Sequence, residues 1–202
     1  VAGTLELEPC VAGIDPGLSH LGLCVITQSG QTQSSHKRSA PVKDHDDPTQ
    51  RVARYNVLVH SVFEFLDCWR PSLVLVEAHP LLGGKARDSS FGRRDRDELM
   101  GILYADLAGT SYVRRVIEVY PSTLKKFITN DGRADKSAIV GALIKKWGVS
   151  FGSEHEFESF ALAKMACTLL GWEEQITKRQ RECLRKIDPS FSLCDGQVLL
   201  PF

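Results

Sequence analysis

The sequence predicts a single α/β domain built on a mixed sheet. Three observations carry that expectation. Residues 11–15 and 21–27 are short apolar runs around a Pro16–His20 turn, and Gly17 and Gly22 punctuate them as a hairpin. Residues 50–69 place Val52, Tyr55, Leu58, Val59, Val62, Phe63 and Leu66 at helical spacing. Residues 73–76, Leu-Val-Leu-Val, form an unbroken apolar run that reads as a central strand covered on both faces.

The remaining elements follow in order. Residues 28–50 are polar and mixed, with room for a third short strand and a loop. The first helix ends at Arg70-Pro71, because the residue before a proline is pushed out of the helical region. Residues 83–96, GGKARDSSFGRRDR, read as a glycine-rich basic loop. A helix is expected over 97–109, a strand over 113–119 and a short helix over 122–129, with Ser122 or Thr123 as its cap. Asn130-Asp131-Gly132 is a turn signal. Helices are expected over 135–147 and 154–170. Residues 1–172 form the domain, and 173–202 form a basic amphipathic helix followed by loop.

The balance of 25 basic and 25 acidic residues excludes a global basic field, so any nucleic-acid surface must come from local segregation of charge. Cys10, Cys24, Cys68, Cys167, Cys183 and Cys194 contain no C-x-x-C pair, which argues against a structural zinc site. Several sit in apolar runs and read as reduced core thiols, which suggests an intracellular reducing compartment. No apolar run approaches the roughly 18 residues of a membrane span, so no membrane partner is expected. The opening VAGTLELEP shows no secretory signal pattern.

Two acids stand where strands end. Asp15 closes the first strand before Pro16-Gly17, and Glu77 closes the central one. Asp-Pro-Gly is ordinary turn chemistry, so a turn cap is one reading of Asp15. A shared site is the other, because neighbouring strand ends meet where α/β sheets bind ligands. Like charges a few ångströms apart stay ionised together only around a cation, and carboxylate oxygens suit magnesium or manganese. The segment HEFESFALAKMA, residues 155–166, puts His155 and Glu158 on one helix face, with Ala163 and Ala166 permitting close approach to the sheet. Glu154 and Glu156 compete with them as ligands, and a helix start enriched in acids for dipole reasons would look similar.

Taken together, these segments resemble the RuvC-type Holliday junction resolvases of the RNase H-like superfamily. GIDPG (13–17) is similar to the family's first-strand motif with its catalytic Asp, and VLVEA (74–78) to the strand ending in its catalytic Glu. YPSTLKKFITNDGRADKSAIV (120–140) resembles the lysine-bearing segment, with Lys125 and Lys136 around a glycine-containing turn. HEFESFALA (155–163) is similar to the last motif, usually two Asp three apart before Ala-Leu-Ala. The departures are His155, a residue found there in some members, and Glu158, one methylene longer than Asp. The basic stretch 83–96 is longer than usual, and the chain beyond 172 has no counterpart.

The resemblance implies an RNase H-like mixed five-stranded sheet flanked by helices and a metal-dependent endonuclease acting on four-way DNA junctions. Paired symmetric nicks would leave a 5′ phosphate and a 3′ hydroxyl. Asp15, Glu77, His155 and Glu158 would hold two magnesium or manganese ions, with Lys136 completing the catalytic set. Lys85, Arg87, Arg93, Arg94, Arg96, Lys125, Lys126, Arg133 and Lys136 would meet DNA. Phe91 offers a ring to stack on an unpaired base. No nucleotide cofactor is implied. The junction's two-fold symmetry points to a homodimer. The apolar faces of helices 50–69 and 97–109 are then candidates for either interface or core. A bacterial, phage or organellar source would fit. Three alternatives stand beside this reading: a flap or fork nuclease of the same superfamily, a junction-binding protein with weakened catalysis, and an actin-like ATPase, for which 202 residues leave little room.

Overall fold

The computed structural model describes residues 7–41, 43–79, 90–173, 176–191, 193–194 and 197–198. Strands β1 (Cys10–Pro16) and β2 (His20–Thr27) form the expected antiparallel hairpin, in register from Cys10↔Thr27 to Pro16↔Leu21. The polar stretch beyond contains β3 (Thr32–Arg38), which pairs antiparallel with β2 as an edge strand and accordingly leaves much of itself to solvent. Helix α1 (Pro48–Asp67) starts where the Asp47 carboxylate accepts the Thr49 N–H, with proline in the first turn.

Strand β4 (Leu73–Glu77) then enters parallel to β1, and β5 (Arg115–Val119) parallel to β4. Between them runs α2 (Ser90–Gly109). The sheet order is β3-β2-β1-β4-β5. The chain closes with α3 (Pro121–Thr129), α4 (Lys136–Trp147), α5 (Glu154–Leu169) and α6 (Lys178–Ile187). Two short strands follow, β6 (Leu193–Cys194) and β7 (Gln197–Val198).

The central strands are buried on both faces, and their two-residue period sorts the core into two layers. Val11 of β1 and Leu73 and Leu75 of β4 join Phe160, Leu162 and Ala166 of α5, with Phe127 and Leu143 from α3 and α4. Ala12 and Ile14 of β1 and Val74 and Val76 of β4 face Tyr55, Leu58 and Val62 of α1 and Leu99 and Leu103 of α2. The apolar faces of α1 and α2 are therefore chiefly core. Helix α6 adds Cys183 and Leu184 to the α5 layer, and Arg115 reaches across to Asp188 at 2.7 Å.

Several expectations need correction. The stretch from Ser90 to Arg96 is the start of α2 rather than a loop. Its three Arg residues are strong helix formers that outweigh Gly92, and its Asp95 is fully buried, bonded to His45 at 2.9 Å. Neither Ser122 nor Thr123 caps α3. Tyr120 occupies the cap position with no side-chain bond, Pro121 leads the helix, and Thr123 is buried. Cys10, Cys24, Cys167 and Cys183 are buried free thiols, whereas Cys68 is exposed. The expected C-terminal loop carries the β6–β7 pair. No helix among the described residues is long and apolar enough to cross a membrane.

Candidate metal centre

The parallel register Ile14↔Val76 sends the next residues, Asp15 and Glu77, off the same edge of the sheet. Helix α5 crosses this edge with its first turn, started by a Ser153 hydroxyl that accepts the Glu156 N–H. Two glycines let it come close. A Cβ on Gly13 would collide with the Ser159 carbonyl oxygen and the Ala163 nitrogen, and one on Gly22 would strike the His155 carbonyl. Side chains at either position would push α5, and His155 with it, away from Asp15.

In this arrangement His155 Nδ1 lies 2.6 Å from Asp15 Oδ2 and 3.9 Å from Glu158 Oε2. One ligand atom each from Asp15, His155 and Glu158 fall within 4.8 Å of one another. Asp15 is only 6% exposed. Glu77 lines the same small cleft of about 190 Å³ with Asp15, Gly17, His79 and Arg96.

The electrostatics are those of negative charge confined at low dielectric. Burial, then the Asp15 and Glu158 carboxylates, push Glu77 up to about 9, with Lys125 pulling the other way. Burial and the Asp15 carboxylate raise Glu158 to about 7, opposed by Lys136. His155 is raised above the usual imidazole range chiefly by its bond to Asp15, against the effect of burial. Close packing of the carboxyls thus favours their protonated forms. A divalent cation competes for the same lone pairs, and the two carboxylates and one imidazole of Asp15, Glu158 and His155, with Glu77 in the adjoining cleft, are donors that suit magnesium or manganese.

Lys136 pairs with Glu154 at 2.8 Å and exerts its field on Glu158. Glu156 accepts from the Ser34 hydroxyl at 2.9 Å. Neither Glu154 nor Glu156 belongs to the cluster of Asp15, His155 and Glu158. Arg96 leans on His79, with Nη1 and Nε2 2.5 Å apart. Arg93 and Arg133 are exposed, Arg94 donates to the His45 carbonyl, and Lys126 approaches Glu182 at 3.8 Å. Lys85, Arg87 and the Phe91 side chain lie outside the described residues.

Sequence reasoning missed the setting of His155. Its ring lies nearly parallel to that of His20, with centroids 5.0 Å apart and 8° between planes, and to that of His36 at 5.6 Å and 18°. His20 Nδ1 and His36 Nε2 share a hydrogen bond of 3.1 Å. The pairs His20↔Arg38 and Gly22↔His36 make these two residues diagonal neighbours. The only trace in the sequence was a histidine in each of β2 and β3, which means nothing without the register.

No protein-family model matches the chain. The order and connectivity of the sheet define an RNase H-like fold, and solved structures share it. The Thermus thermophilus RuvC structure superposes with a TM-score of 0.56 at 21% identity, covering 76% of this chain and 90% of that one. The yeast mitochondrial Holliday junction resolvase Ydc2 gives 0.53 at 18%, covering 90% and 83%. Among sequences, the crossover junction endodeoxyribonuclease RuvC of Corynebacterium jeikeium is 28% identical over 159 residues, spanning 77% of this chain and 90% of its own length. That of Corynebacterium efficiens is 26% identical over 175 residues, spanning 85% and 72%. These sequences make the chain a distant relative of the RuvC-type crossover junction resolvases, at 26–28% identity over most of its length.

Proposed function

We propose that this protein is a structure-selective endodeoxyribonuclease that resolves four-way DNA junctions by paired, symmetric nicks. The observation that carries the reading is the convergence of Asp15, Glu77, His155 and Glu158 from β1, β4 and α5 on one edge of the sheet. Support comes from the relatives, which are crossover junction endodeoxyribonucleases, and from a T. thermophilus RuvC solved with a Holliday junction substrate, at a TM-score of 0.56.

Asp15, Glu77, Glu158 and His155 would hold two magnesium or manganese ions. When bound, such ions supply an activated water for attack on the phosphodiester and charge neutralisation at the leaving oxygen. The protein's own contribution is positional and electrostatic. The two strand ends and the first turn of α5 fix the donors on rigid elements. Lys125 and Lys136 flank them and would place positive charge beside the scissile phosphate. Arg93, Arg96, Lys126 and Arg133 would hold the flanking phosphates, with Lys85 and Arg87 in the adjoining segment. Two cuts related by symmetry call for a homodimer.

A second reading is a junction-binding protein with weakened catalysis. Its support is Glu158 itself, whose extra methylene displaces a carboxylate by about an ångström, enough to cost ~100-fold in rate. One experiment separates the readings: incubation with a synthetic four-way junction, linear duplex, flap and RNA–DNA hybrid, with magnesium or manganese and with EDTA. Symmetric nicks on the junction alone, abolished by EDTA, are expected. Tight junction binding without nicks in either metal favours the second reading. Cleavage of flaps in preference to junctions overturns both.

A further inference from the structure

Helix α6 is unused by the proposed chemistry. It is fixed at its start by a reciprocal capping box between Thr177 and Gln180. Gln180, Cys183 and Leu184 are buried, and the helix packs on α3. Its outer face exposes Lys178, Arg179, Arg181, Arg185 and Lys186 against the single acid Glu182. Glu182 is already engaged, by Arg179 at 3.2 Å and by Lys126 of α3 at 3.8 Å. Among the described residues no acid pairs with Lys178, Arg181 or Arg185.

This segregation is notable in a chain whose formal charge sums to zero. A helix face shaped only for solvation mixes signs at i,i+4 spacing. Here Lys178, Arg181 and Arg185 recur at i, i+3 and i+7, a stripe about 10 Å long at 1.5 Å per residue. That is about three base-pair steps of duplex at 3.4 Å each. The stripe also has a direction. Lys125 of α3 acts on the Glu77 carboxyl, and its neighbour Lys126 reaches Glu182 midway along α6. Positive charge therefore runs from the carboxylate cluster outward over α3 onto α6.

We propose that the solvent face of α6 is a second DNA-contact surface, holding the phosphates of a duplex arm leaving the cleavage site through Lys178, Arg181 and Arg185. The proposal rests on the junction-nuclease reading. Such contacts are indifferent to sequence and strongly salt-dependent, because each neutralised phosphate releases counterions.

The test is the salt dependence of junction affinity in EDTA, measured by fluorescence anisotropy on the full chain. Wild type is compared with the triple variant Lys178→Gln/Arg181→Gln/Arg185→Gln and with Arg181→Gln alone, and thermal unfolding checks that each is folded. The slope of log K against log salt should fall in magnitude by about 2 to 3 in the triple variant and by about 1 in the single one, at about 0.9 per phosphate contact. If wild type binds the junction and both variants match its slope and affinity, α6 is a solvated face and the nuclease reading survives. Lost affinity at an unchanged slope also counts against the proposal, since phosphate contacts cannot be removed without altering counterion release. If wild type does not bind the junction at all, both readings fall together.

Discussion

His155 Nδ1 and Asp15 Oδ2 stand 2.6 Å apart, joining the first turn of α5 to the end of β1 across 140 residues of chain. This bond brings together two donors that a divalent cation would take over. Replacing Asp15 with Asn keeps the shape but removes the charge that both the cation and the His155 bond rely on. Asp15→Asn should abolish junction cleavage while leaving junction affinity in EDTA within a few-fold of wild type. Cleavage at the normal rate by this variant would remove Asp15 from the mechanism.

Titration of the cluster sets a pH dependence with a definite sign. Glu77 is raised from the usual carboxylate range to about 9, and Glu158 to about 7. A carboxyl raised in this way stabilises the fold fully below its ordinary value and loses that contribution as pH climbs through the raised one. The metal-free protein should therefore lose thermal stability as pH rises from about 4.5 to about 9, with the Glu158 share gone soon after pH 7. Excess magnesium or manganese should restore it, with a Tm gain that grows over the same window because the cation binds the deprotonated donors. Differential scanning fluorimetry across pH, with and without metal, reads this directly. A Tm gain independent of pH would contradict the shared-proton picture.

Gly13 and Gly22 permit the close approach of α5, so both should resist substitution. A Cβ at Gly13 meets backbone atoms of Ser159 and Ala163, which cannot swing aside as a side chain would. Gly13→Ala should cost about 1–3 kcal/mol, the usual range for overpacking, seen as a lower denaturation midpoint. Gly22→Ala strikes the His155 carbonyl. It should weaken manganese binding by calorimetry beyond what its loss of stability explains.

The stacked His20 ring, hydrogen-bonded to His36, holds the imidazole of His155 in place. Loss of a partner that orients a metal ligand typically costs about 10–100-fold in metal affinity. His20→Ala should fall in that range by manganese titration, and His20→Phe, which keeps a flat ring, should recover much of the loss. Equal affinity in His20→Ala and wild type would mean that the stack merely fills space.

The fold class and the identity of the acids were legible in the sequence because both depend on local pattern. The apolar run of 11–15, the unbroken run at 73–76 and the helical period of 50–69 each report burial directly. Asp15 and Glu77 stood out because a carboxylate at the end of a buried strand needs a reason. The 90–96 stretch is not legible as helix, because glycine beside charged residues has the composition of a loop. Only the folded chain shows that Asp95 is fully buried in this helix and bonded to His45, 50 residues away.

What the sequence by itself determined is a set of candidate donors and the strands and helix that carry them, since hydrophobic periodicity and turn chemistry act over a few residues. What only the tertiary structure decided is which donors converge: that His155 and Glu158 meet Asp15 while Glu154 turns to Lys136 and Glu156 to Ser34, and that His20 and His36 stack beside His155. Those outcomes follow from strand register and from the closeness that Gly13 and Gly22 allow. Both are relations between segments far apart in the chain, and no local pattern encodes them.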